Sequence, residues 1–162
     1  MKTIFISLVA GLAFCGCDSF TEVDLPDSQL TSEIVFADVR TADAALSNIY
    51  AQLRDATVLT GLPTGISNTL GVYSDEMTYF GSAGQPTETF YLNNLLETSV
   101  AVKTLWNNAY NLIYQANAVY KGVTDSQGIS EGDKSRLIGE ALYLRAFLHF
   151  HLTNLFGEIP YI

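Results

Sequence analysis

Residues 130–162 read SEGDKSRLIGEALYLRAFLHFHLTNLFGEIPYI. The stretch has the two ends of one long helix. Ser130 is an N-cap residue, and Asp133 three positions on makes an imperfect capping box with it. Gly157 fits the C′ position, and Pro160 forbids continuation soon after. Between these ends Leu137, Ala141, Leu144, Leu148, His151 and Leu155 recur at helical steps. Ile138, Leu142, Ala146, Phe147 and Phe150 fill much of the remaining circumference. A helix apolar nearly all round calls for cover on several sides. Arg145, His149, His151 and Asn154 interrupt it too often for a lipid span. The expectation is a central core helix with other helices around it.

Working back from it, Thr98 or Ser99 caps a second long helix that is predicted to end near Lys121, stopped by Gly122. Val102, Trp106, Ala109, Ile113, Ala116 and Tyr120 form its stripe, and a tryptophan at a stripe position reads as core. The polar, glycine-containing residues 123–129 then join the two helices as an antiparallel hairpin. Asp38 or Thr41 caps an earlier helix that runs to about Asp55, with Val39, Ala42, Leu46, Ile49, Tyr50 and Leu53 on one face. Asp43 in its first turn and Arg54 in its last suit the helix dipole, and Phe36 precedes it as a staple-like contact. The fold class is therefore all-α.

Between these helices, residues 57–96 are broken by Gly61, Pro63, Gly65, Gly71, Gly81, Gly84 and Pro86, with a short helix expected over residues 70–79. Aromatic and acidic residues sit among the breakers. Tyr73, Asp75, Tyr79 and Phe80 are the candidate ligand-binding residues. Pyranose rings stack their C–H faces on aromatic rings, while carboxylates and amides take the hydroxyls. The competing reading puts Tyr73 and Phe80 in the core and Asp75 in a cap or ion pair. Asp75 and Glu76 do not make a glycosidase pair, because neighbours on a helix diverge by about 100°.

The N-terminus has the form of an export signal. Lys2 gives a positive start, residues 4–14 are apolar but short, and Gly16 precedes Cys17. A small residue before a cysteine is what a lipoprotein signal peptidase requires. Residues 1–16 are thus expected to be a lipoprotein signal peptide, with lipidation of Cys17. Residues 17–30, acidic and without periodicity, form an extended tether. Acyl chains would hold the protein to a membrane without spanning it.

Several of these segments resemble the SusD/RagB family of outer-membrane nutrient-binding lipoproteins. The resemblance is carried by Gly139-Glu140-Ala141, Leu144-Arg145-Ala146-Phe147 and Leu155-Phe156-Gly157-Glu158-Ile159-Pro160. Trp106, Tyr110, Ile113, Ala116 and Asn117, the run beginning at Thr41, and Ser74-Asp75-Glu76 add to it. It implies degenerate tetratricopeptide-like helix pairs whose irregular loops carry the ligand site, although the standard repeat pattern is not met here. It also implies capture of oligosaccharides or other nutrients outside the cell and delivery to a SusC-like TonB-dependent receptor. Members of the family are longer proteins, so residues 31–162 read as the N-terminal part of such a helical domain. In that case part of the final helix would be left uncovered.

Composition sets the exclusions. The chain has 162 residues, 48% hydrophobic and 15% charged, with a net charge of −9. That is enough for one domain with a core. Its acidity opposes electrostatic binding of nucleic acid. Both cysteines lie at the N-terminus, so no disulfide framework reaches the body of the chain. His149 and His151, two apart on a helix, point to different sides and cannot chelate one metal as a pair. No phosphate-binding loop or nucleophile elbow is present, and no cofactor, metal or catalysis is expected. Glu140 and Arg145 read as structural. A buried Arg145 would need Asp75, Glu76 or Glu140 as its partner. The alternative to nutrient capture is a lipid-anchored helical scaffold that binds proteins only, which requires the loop aromatics to be buried.

Overall fold

The computed structural model describes residues 31–56 and 59–162; the signal, Cys17 and the tether lie outside the described residues. Among the described residues every regular element is a helix. In chain order these are α1 (Ser32–Val35), α2 (Val39–Ala56), α3 (Ile66–Tyr73), α4 (Pro86–Tyr91), α5 (Val100–Asp125) and α6 (Glu131–Phe156). The long helices α2, α5 and α6 pack together, and α5 and α6 form the antiparallel hairpin. No helix among them is long and apolar enough to cross a membrane.

The ends of α6 fall where its residues place them. Ser130 Oγ accepts from the Asp133 backbone N–H at 3.2 Å. The box is imperfect because the Ser130 hydroxyl also donates to the Asp133 carboxylate at 2.6 Å. Gly157 closes the helix at φ 76°, a left-handed value that suits glycine. Leu137, Ala141, Leu144, Leu148 and Leu152 are fully buried along the seam with α5 and α2. That stripe differs from the expected one at its end: Leu152 and His149 are buried, while His151 and Leu155 are half-buried. The structure also covers α6 on fewer sides than its composition calls for. Leu142, Tyr143 and Phe150 on the outer face are exposed, Phe150 at 64%. The rings there contact one another, with Phe147 4.5 Å from His151 and 6.1 Å from Tyr143.

Two boundaries depart from expectation. The second long helix does not stop at Gly122 but continues to Asp125. The Phe36 ring packs where a side chain at 122 would stand, since a Cβ there would lie 2.0 Å from its Cδ2. The glycine serves close approach, not termination. The short helix expected over residues 70–79 lies earlier, at Ile66–Tyr73, where Gly65 starts it and Asp75 at φ 61° follows its end.

Asp38 caps α2: its Oδ1 accepts from the Arg40 N–H at 2.8 Å, and its carbonyl accepts from the Ala42 N–H at 3.1 Å. The Thr41 hydroxyl donates instead to the carbonyls of Val35 and Asp38. Asp43 lies just beyond the first turn and acts across helices. Arg136 of α6 reaches it at 2.9 Å and Glu140 at 3.1 Å, tying α6 to α2. Glu140 also accepts from the Tyr50 hydroxyl at 3.3 Å. Partial burial first, and then the Glu140 charge, raise the Tyr50 hydroxyl above its ordinary pKa.

Candidate functional site

The segment between α3 and α4 carries the candidate ligand residues. Three ties fold it against the helices. The Met77 N–H donates to the Gly71 carbonyl at 2.9 Å. The Thr87 hydroxyl donates to the Pro63 carbonyl at 3.1 Å. The Gly84 N–H donates to the Glu88 carboxylate at 2.6 Å, with Gly84 at φ 83°. Glu88 was not singled out by sequence reasoning. Only its place four residues after a glycine that turns the chain marks it.

Within this frame the four candidates take different positions. Tyr73 is the last residue of α3 and is partly exposed. Asp75 sits two residues later on a left-handed backbone and is exposed. It is therefore neither on a helix nor paired with Arg145. Tyr79 is half-buried: its ring centroid lies 6.2 Å from that of Tyr91, and its hydroxyl donates to the Ser82 carbonyl at 2.7 Å. Partial burial first, and then the nearby Glu88 carboxylate, raise that hydroxyl above its ordinary pKa. Phe80, next in the chain, is 92% exposed. An aromatic ring that far into water has no packing role. The geometry is thus a braced turn, Tyr79 against Tyr91, presenting Phe80 to solvent, with Asp75 and Glu76 exposed in the same segment.

Around the first turns of α5 and the end of α6, aromatic residues serve packing. Trp106 is half-buried, edge-on to Phe156 at 5.0 Å and 4.8 Å from Tyr110. The Tyr110 hydroxyl, its pKa raised by burial, donates to the Pro160 carbonyl at 2.7 Å. Arg145 does not pair with Glu140, Asp75 or Glu76. It lies over the Tyr161 ring at 5.9 Å and donates to the Ile162 carbonyl at 3.2 Å. Spacing explains this: Glu140 and Arg145 are five apart and face different ways, whereas Arg136 and Glu140 are four apart and meet. His149, only 7% exposed, hydrogen-bonds through Nδ1 to the Arg145 carbonyl at 2.9 Å. No three His, Cys, Asp or Glu side chains gather as a metal site among the described residues.

Comparison with known proteins gives a consistent result. The SusD-like family described as starch-binding and associating with the outer membrane matches residues 25–162. One SusD-like protein of Formosa agariphila is 24% identical over 149 residues, which cover 90% of this chain and 28% of that protein. A second from the same organism is 28% identical over 172 residues, covering 99% of this chain and 30% of that protein. The chain thus spans less than a third of the length of these relatives. No solved structure gives a significant match.

Proposed function

The chain belongs to the SusD-like family of starch-binding proteins that associate with the outer membrane, and from that premise we propose that it captures oligosaccharides at the cell surface. It is held there by acyl chains on Cys17 and passes its ligand to a SusC-like TonB-dependent receptor, performing no chemistry itself. The observation that carries this reading is the 92% exposed ring of Phe80 on a turn braced by Tyr79 and Tyr91. A flat apolar surface in water, with the exposed carboxylates of Asp75 and Glu76 in the same segment, offers groups suited to the apolar face and the hydroxyls of a sugar ring.

The test is binding of the full chain to a broad glycan panel, together with co-purification of a co-expressed receptor. Binding of some glycan and a stable receptor complex support the proposal. No glycan bound and no complex formed would sink it. Replacing Cys17 with Ala is expected to release the protein from membranes, and tight retention of that variant would refute the anchor.

A second reading, a scaffold that binds proteins only, draws on the exposed apolar face of α6 at Leu142, Tyr143 and Phe150. It requires the loop aromatics to be buried, and Phe80 is not.

A further inference from the structure

A groove of about 990 Å³ runs between α1 and the C-terminal half of α5, away from the Phe80 turn. Its size is at the upper end of the roughly 300–1,000 Å³ usual for small-ligand sites. Two close approaches build it. Phe36 packs over Gly122, where a Cβ would lie 2.0 Å from the ring. The Ala37 carbonyl oxygen comes so near Gly128 that a Cβ there would lie 2.1 Å away. These contacts hold α1 and the turn after α5 against the helix, and the groove is formed with no ligand present.

One wall is a single face of α5. Tyr114, Asn117, Lys121 and Asp125 follow at steps of three and four residues and all line the groove. Tyr114 is 70% exposed, so its ring is not part of the core. Lys121 Nζ lies 3.1 Å from Asp125 Oδ2. Glu33 and Gln127 line the groove from α1 and from the turn after α5.

We propose that this groove is a second binding site, for a short neutral oligosaccharide, separate from the Phe80 turn. Sugar hydroxyls both donate and accept, and the lining offers both roles. The amides of Asn117 and Gln127 do either, the carboxylates of Asp125 and Glu33 accept, and the Lys121 ammonium donates. The Tyr114 ring supplies a flat surface for the apolar face of a pyranose, and Phe36 with Ala37 an apolar floor. Charge selects against ionic ligands. Two carboxylates against one ammonium repel phosphate and sulfate, and Lys121 is already engaged with Asp125.

The proposal rests on the glycan-capture reading above, and the experiment separates the two. The full chain is titrated calorimetrically with maltohexaose, cellohexaose and laminarihexaose, as wild type, Tyr114→Ala, Tyr114→Phe and Phe80→Ala. Circular dichroism checks that each variant keeps its helices, which the exposure of both rings favours. The expected result is binding by the wild type, loss of one binding component or a fall of about tenfold or more in Tyr114→Ala, and retention in Tyr114→Phe, which keeps the ring face. The Tyr114-dependent component persists in Phe80→Ala. Wild-type affinity and stoichiometry in Tyr114→Ala overturn the groove and leave glycan capture standing. Failure of the wild type to bind any of the three probes overturns the groove proposal, whereas glycan capture as such falls only with the broad panel and the receptor complex.

Discussion

The ring of Phe36 fills the place where Gly122 has no side chain, locking the segment before α2 onto the middle of α5's last turns. The contact joins positions 86 residues apart (122 − 36), and α5 continues past Gly122 to Asp125.

Gly122→Val is therefore expected to destabilise the fold by about 1–3 kcal/mol, through overpacking against a buried ring. Gly139 is the control. It lies inside α6 with open space where its Cβ would stand. Gly139→Ala should stabilise by roughly 0.5–1 kcal/mol, from helix propensity alone. Chemical denaturation of both variants measures the difference. Equal effects of the same sign would contradict the packing at Gly122.

Leu144 and Leu148 are fully buried in the seam of α6, whereas Phe150 is on its outer face. Leu144→Ala or Leu148→Ala should cost about 2–5 kcal/mol. Phe150→Ala should stay within about 0.5 kcal/mol of wild type. A large loss from Phe150→Ala in urea melts would mean that the outer face is covered.

The cap of α2 makes acid sensitivity testable. Hydrogen bonding from the Arg40 backbone N–H first, then from its side chain, holds the Asp38 carboxyl below its ordinary value. A depressed folded pKa gives stability that is present above the ordinary carboxylate pKa, about 3.9. It is lost as pH falls through the folded value. Asn also caps helices but does not titrate. The melting temperature of wild type is expected to fall more steeply than that of Asp38→Asn below about pH 4. Parallel curves would remove Asp38 as a titrating cap.

Phe80→Ala removes a ring with no packing role, so its melting temperature should match wild type. Glycan binding through that turn is expected to weaken about tenfold or more. Tyr79→Phe loses only the hydroxyl bond to Ser82 and should weaken binding less. A Phe80→Ala variant that is markedly unstable would place the ring in the core after all.

Local chemistry was sufficient for the ends of α6 but not for the end of α5. Ser130, Gly157 and Pro160 mark the bounds of α6 because caps and stops act within one turn, and its leucine seam follows from helical period. The candidate turn was legible in part: its breakers and aromatics are visible in the chain, but which ring is braced and which is bare is not. Tyr79 and Phe80 are adjacent and chemically alike, and only the arrival of Tyr91 and the Ser82 carbonyl separates them.

The sequence by itself determined an all-helical chain, its hairpin and its family resemblance, because periodicity, capping and motif order are properties of near neighbours. Tertiary structure alone decided that Gly122 continues a helix, that Arg136 reaches Asp43 of α2 and Arg145 reaches Tyr161, and that Tyr114 lines a groove with Glu33. Each of these depends on partners from different helices or from a chain segment folded back on one, and a side chain's surroundings are set only once those segments pack.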